Sequence, residues 1–85
     1  MDEDLDLAYT LRSLGDAALT EGRLEEAEEH YQRVLAIMFG RLPADNVELR
    51  KAVQGYAELL RKLGRTSEAE ELEMRAGVTD GSAGS

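Results

Sequence analysis

The sequence predicts an all-α fold of four helices, arranged as two tandem antiparallel helix–turn–helix pairs. Three observations carry this. Apolar residues recur three and four positions apart along most of the chain, the period of one helix face. Glu, Leu, Ala and Arg are abundant, β-branched residues are few and proline occurs once, a composition that favours helices. The phrase "EGRLEEAEEHY" at 21–31 is nearly restated 42 positions later, as "LGRTSEAEELE" at 63–73.

The first helix is predicted over 4–21. Leu7, Leu11, Leu14 and Ala18 form its stripe, with Leu5 and Leu19 beside it. Asp2, Glu3, Asp4 and Asp6 crowd its start, where anions complement the helix dipole. Gly22 ends it, because glycine accepts the left-handed cap conformation. The second helix is predicted over 24–40, on Leu24, Ala27, Tyr31, Val34, Leu35 and Met38. A turn of two or three residues forces the pair to lie antiparallel.

In "GRLPADN", 40–46, Gly40 stops the second helix and Pro43 forbids its continuation. Asp45 or Asn46 can cap the third helix, and Glu48 completes a capping box with Asp45. That helix carries Val47, Leu49, Val53, Tyr56, Leu60 and Leu63 and ends at Gly64, with Arg61, Lys62 and Arg65 suited to its negative end. Thr66 or Ser67 caps the fourth helix, which carries Ala69, Leu72 and Ala76. The helical domain is therefore set at 1–76. "GVTDGSAGS", from Gly77 to the end, is small, polar and unpatterned; 77–85 reads as a disordered tail or an added linker.

The repeat extends well beyond the opening phrase. Gly64 and Arg65 match Gly22 and Arg23 at a spacing of 42, and Glu68 to Glu71 match Glu26 to Glu29 with Ala69 on Ala27. Upstream, Leu49 falls on Leu7, Val53 on Leu11, Tyr56 on Leu14, Ala57 on Gly15 and Leu60 on Ala18. Gly15 and Ala57 sit mid-helix, where glycine otherwise costs about 1 kcal/mol against alanine. Small residues there, and at Ala27 and Ala69, allow paired helices to approach closely.

These residues resemble a tetratricopeptide repeat: Leu11, Leu14, Gly15 and Ala18, then Gly22 to Ala27, Tyr31 and Val34. The 42-residue period and the "LPADNVEL" connection are similar to the kinesin-light-chain type. The second copy departs from the first, with Glu73 for Tyr31 and Ala76 for Val34. The resemblance implies a right-handed stack whose first helices share a concave, partner-binding surface. Carried onto this sequence, that surface is Tyr9, Arg12, Ser13, Asp16, Leu19 and Thr20, then Lys51, Gln54, Gly55, Glu58, Arg61 and Lys62. A solvated polar face is the alternative. The family's carboxylate clamp uses Asn and Lys here, yet Asp16 and Glu58 stand where Asn is expected. The paired asparagines that repeats of the kinesin-light-chain type carry in this helix, as "LNNLA", are replaced here in "LRSLG" and "VQGYA".

Arrays of this kind normally need about three repeats and a polar end. Ile37, Met38, Phe39 and Leu42 are accordingly expected as an exposed apolar end for self-association, as a homodimer or by docking to a larger protein. The run Glu25, Glu26, Glu28 and Glu29 reads as the wet side of the second helix, supported by a Glu29–Arg33 pair, or as a mimic that docks a basic partner. Tyr31 and Tyr56 read as core and Tyr9 as an exposed contact. His30 is the lone histidine and reads as a surface residue rather than a metal ligand.

A net charge of −8, from eighteen acids against ten bases, argues against a nucleic-acid partner. Cysteine is absent, so disulfides and thiolate metal sites are excluded. No apolar run approaches the roughly eighteen residues of a membrane span, and the acidic N-terminus lacks the form of a secretory signal. A soluble, cytoplasmic setting is expected. Phosphate loops, nucleophile elbows and cofactor motifs are missing, so the expected function is a non-enzymatic protein–protein interaction module. The alternatives are a fragment of a longer array in a receptor or regulator, and a small acidic subunit that covers a basic surface.

Overall fold

A computed structural model describes the backbone of residues 2–77 and the side chains of 5–77. Helices α1 (Asp2–Thr20), α2 (Leu24–Met38), α3 (Val47–Lys62) and α4 (Thr66–Ala76) follow one another, with no strand among the described residues. Neighbours in sequence pack most closely, α1 on α2 and α3 on α4, while α2 joins the pairs. The principal extents are 37 × 29 × 15 Å. The short one suits two helix layers with axes 8–10 Å apart.

The repeated "GR" has one structural cause in both copies. Gly22 and Gly64 adopt φ of 83° and 78°. The Gly22 N–H donates to Leu19 O at 3.1 Å and the Arg23 N–H to Ala18 O at 2.9 Å. In the second copy Gly64 N–H donates to Arg61 O at 3.0 Å and Arg65 N–H to Leu60 O at 2.8 Å. Each is a Schellman turn, which satisfies the last carbonyls of one helix and leads directly into the next. Arg23 and Arg65 are therefore the N-cap residues of α2 and α4, and neither donates a side-chain cap. This corrects the expectation that Thr66 or Ser67 caps α4: both lie within its first turn. Of the two candidates for α3, Asn46 is the cap, its side chain accepting from Glu48 N at 2.8 Å and Leu49 N at 3.1 Å. Helix α2 ends at Met38, two residues earlier than predicted, and Gly40 does not adopt positive φ. The expected tail at 77–85 is described only at Gly77, the left-handed cap of α4; 78–85 lie outside the described residues.

The core is continuous across the repeats. Leu11, Val34, Leu35, Met38, Leu49, Val53, Leu60 and Leu72 are buried in one cluster, with Ala8, Ala52, Ala57 and Ala69 at the close approaches. A second cluster holds Ala18, Ala27, Tyr31 and Leu59. Three predicted core residues are exposed instead: Leu7 at 41%, Leu14 at 47% and Val47 at 61%. Val47 lies about 200° round the helix from Leu49, so burying one exposes the other. In α1 the residues that meet the core are Ala8, Leu11, Gly15 and Ala18.

Ion pairs and ring contacts tie the repeats together. Glu28 accepts from Tyr56 Oη at 3.0 Å and from Arg65, whose Nη2 lies 2.9 Å away. Arg65 also reaches Glu68 at 2.8 Å. The Arg75 guanidinium stands 4.8 Å over the Phe39 ring. Phe39, Ile37 and Leu42 pack against the core and Met38 is 0% exposed. Met38 is therefore buried rather than exposed, which corrects that part of the expected apolar end, while Ile37, Phe39 and Leu42 remain half-buried.

Candidate functional site

The surface between α1 and α3 is built over Tyr31. Its ring leaves α2 and enters the space between α1 and α3, 0% exposed. Two glycines make that space. A Cβ on Gly15 would stand 3.3 Å from three ring atoms, and one on Gly55 would stand 2.7 Å from the hydroxyl and 2.9 Å from Cζ. The ring also stacks on Tyr56, with centroids 6.0 Å apart and planes 10° from parallel. Tyr31 Oη donates to the Asp16 carboxylate. Burial first, and that hydrogen bond second, hold the phenol well above the ordinary tyrosine value.

Asp16 also meets Arg12, at 3.5 Å, one helical turn back. Arg12 reaches across to Glu48 on α3 at 2.9 Å, with its side chain only 22% exposed. It acts as a strut between α1 and α3. Arg61 is likewise engaged, giving Glu73 of α4 two hydrogen bonds of 2.9 and 3.0 Å. Glu73 occupies the repeat position of Tyr31, so an ion pair replaces the inserted ring in the second copy. Arg61 is the main reason that the Glu73 carboxyl lies below its ordinary range.

Between α1 and α3 lies a recess of about 310 Å³, lined by Asp16, Leu19, Thr20, Gly55, Glu58 and Lys62. A second, of about 500 Å³, is lined by Gln54, Glu58, Arg61, Lys62 and Glu73. Glu58 and Lys62 belong to both, so the two form one groove. The structure therefore brings Asp16, Leu19, Gln54, Glu58, Arg61 and Lys62 of the expected surface together. Tyr9, Ser13 and Lys51 are exposed and line neither recess. Glu73 was not expected there, nor the buried Tyr31 hydroxyl behind it at Asp16. The signals were a glycine at 55 in mid-helix and the exchange of Tyr31 for Glu73.

Elsewhere the acidic run of α2 is partly engaged. Glu26 accepts from Arg23 at 3.3 Å and lies 3.7 Å from His30, and Glu28 is held by Arg65. The expected Glu29–Arg33 pair does not form, because these exposed side chains remain in solvent. No three His, Cys, Asp or Glu side chains converge on a point that could hold a metal among the described residues. No helix among them is long and apolar enough to cross a membrane.

The family model described as "Tetratricopeptide repeat" matches residues 6–76. The chain belongs to the tetratricopeptide repeat family. A search of curated proteins and a search of solved structures each returned no match. As a tetratricopeptide repeat protein it carries a fold that generally mediates protein–protein interaction. The groove between α1 and α3 is the surface that its two repeats build jointly.

Proposed function

We propose that the α1–α3 groove binds an extended peptide segment through a basic side chain, which makes the protein an adaptor. One observation carries this reading. Asp16 and Glu58 occupy the same position in the two repeats and line the same recess, while Arg12 and Arg61 are drawn into ion pairs with Glu48 and Glu73. Lys62 is the lone cation lining that recess. A cationic side chain entering it gains charge-assisted hydrogen bonds from carboxylates, already oriented by Tyr31 at Asp16. A terminal carboxylate would meet two like charges instead.

The 42-residue period and the "LPADNVEL" connection support a repeat of the kinesin-light-chain type. Its peptide-gripping asparagines are absent, so the acidic groove stands in their place.

The test is anisotropy of labelled peptides against the protein. Arg- or Lys-containing peptides are expected to bind, and Asp16→Asn with Glu58→Gln is expected to weaken them about tenfold or more. Glu25→Gln with Glu29→Gln removes the same charge from the outer face of α2 and is expected to change binding less than about twofold. Equal losses from both pairs would replace the groove with binding of a basic surface by the acidic face.

A further inference from the structure

The groove between α1 and α3 has two levels, set by the repeat. Glu58 lies 42 positions after Asp16, and Lys62 lies 42 after Thr20. All four line the same recess, so each level pairs a residue of α1 with its counterpart on α3. The first level, Asp16 with Glu58, holds two carboxylates. The second, Thr20 with Lys62, holds a hydroxyl and an ammonium group. Glu58 and Lys62 stand four apart on α3 with the acid first, the favourable order for an ion pair within a helix. That pair does not form: neither side chain makes a hydrogen bond or an ion pair among the described residues. Both are exposed, and both line the neighbouring recess as well. The arginines beside them are committed, Arg12 to Asp16 and Glu48, and Arg61 to Glu73. Glu58 and Lys62 are thus an uncommitted acid and an uncommitted base, one helical turn apart.

We propose that the groove recognises a charge pair in an extended peptide: a basic side chain at Asp16 and Glu58, and an acidic side chain two residues away at Thr20 and Lys62. Lys62 then sets the specificity of the site, an inference that rests on the groove binding a basic side chain. The spacing agrees. Four residues of helix rise about 6 Å, and residues i and i+2 of an extended chain point the same way about 6.6 Å apart. A segment lying along α3 therefore brings both side chains to the two levels at once. The charges agree too. Lys62 offers an ammonium donor and Thr20 a hydroxyl donor to the incoming carboxylate, the first of them charge-assisted. A segment with two bases would set one of them against Lys62. A segment with two acids would set one against Asp16 and Glu58. The groove thus selects a segment of balanced charge, although the whole chain carries −8. The acidic outer face of α2 makes no such selection, because any basic segment satisfies it.

Fluorescence anisotropy of acetylated, amidated peptides on the full chain tests this, since blocked ends leave only side-chain charges. The peptides carry Arg-Ala-X or X-Ala-Arg in one neutral frame, with X as Asp, Asn or Lys. In one of the two orders, Asp is expected to bind about threefold to fivefold tighter than Asn, the effect of an exposed charge pair, and Lys weaker than Asn. In Lys62→Glu the ranking is expected to reverse, with Lys above Asp. Arg33→Glu changes the net charge equally on the exposed outer face of α2 and is expected to keep the parent ranking. A ranking unchanged by Lys62→Glu, or reversed equally by Arg33→Glu, would overturn the proposal. Arginine peptides that all bind alike, and weaken with Asp16→Asn and Glu58→Gln, would overturn it while leaving the basic-side-chain site standing. Binding of none of them would overturn both.

Discussion

Tyr31 is the residue on which packing and site depend together. It fills the gap that Gly15 and Gly55 leave, and it orients Asp16 toward the groove. Gly55→Ala should raise helix propensity by about 1 kcal/mol, yet its Cβ would lie 2.7 Å from the Tyr31 hydroxyl. The ring has little room to retreat, with Gly15 so close on its other side that a Cβ there would lie 3.3 Å from it, Tyr56 stacked on it and Asp16 at its tip. The substitution is expected to destabilise by about 1–3 kcal/mol, the range for overpacking. In a Tyr31→Phe background the penalty is expected to shrink, since the nearest clashing atom is gone. Urea denaturation of the four proteins in a double-mutant cycle measures this; equal penalties in both backgrounds would show that the ring does not occupy this place. Much of this was legible in sequence. Tyr31 read as core and Gly15 as a close approach. Gly55 read only as groove surface, because the match across the repeat pairs Ala57, not Gly55, with Gly15. Which of two helices a ring enters is decided by its rotamer, and spacing does not encode that.

At the scale of elements, the two Schellman turns carry equal loads. Gly22 and Gly64 have φ of 83° and 78° with open space around them, so alanine at either is resisted by backbone strain alone. Each Gly→Ala variant is expected to cost about 1–2 kcal/mol, and thermal unfolding should lower the two melting points similarly. At the start of α3, Asn46→Ala is expected to cost about 1 kcal/mol and Asp45→Ala far less, because the cap hydrogen bonds go to Asn46. Helix existence and order were legible from periodicity, and the glycine stops at 22 and 64 from their repetition. Cap identity was less so. Arg23 and Arg65 do not have capping side chains, and the turn that makes caps unnecessary is a backbone feature. Leu7 and Leu14 read as core because periodicity marks an apolar stripe without saying what covers it.

Over the whole molecule, carboxylates and buried phenols set opposite pH limits. Arg65 holds Glu28 and Glu68 below the ordinary carboxylate value, and Arg61 does the same for Glu73. The stability they contribute is present above the ordinary carboxylate pKa and is lost as pH falls through the lowered folded values. Burial raises Tyr31 and Tyr56. Their contribution is present below the ordinary tyrosine pKa of about 10 and is lost as pH rises beyond it. The melting temperature is expected to fall at both limbs, and Glu28→Gln should flatten the acid limb relative to the parent. A melting point level down to strongly acid pH would show that the Glu28–Arg65 tie does not support the repeat junction. The shape that these contacts maintain is the groove, and its contents bear most directly on what the protein does. The decisive measurement is an amide chemical-shift titration of the ¹⁵N-labelled protein with an arginine-containing peptide that binds. The expected result is saturable shifts concentrated at Asp16, Leu19, Thr20, Gly55, Glu58 and Lys62. Shifts spread over Glu25, Glu29 and the outer face of α2, with the groove silent, would contradict it.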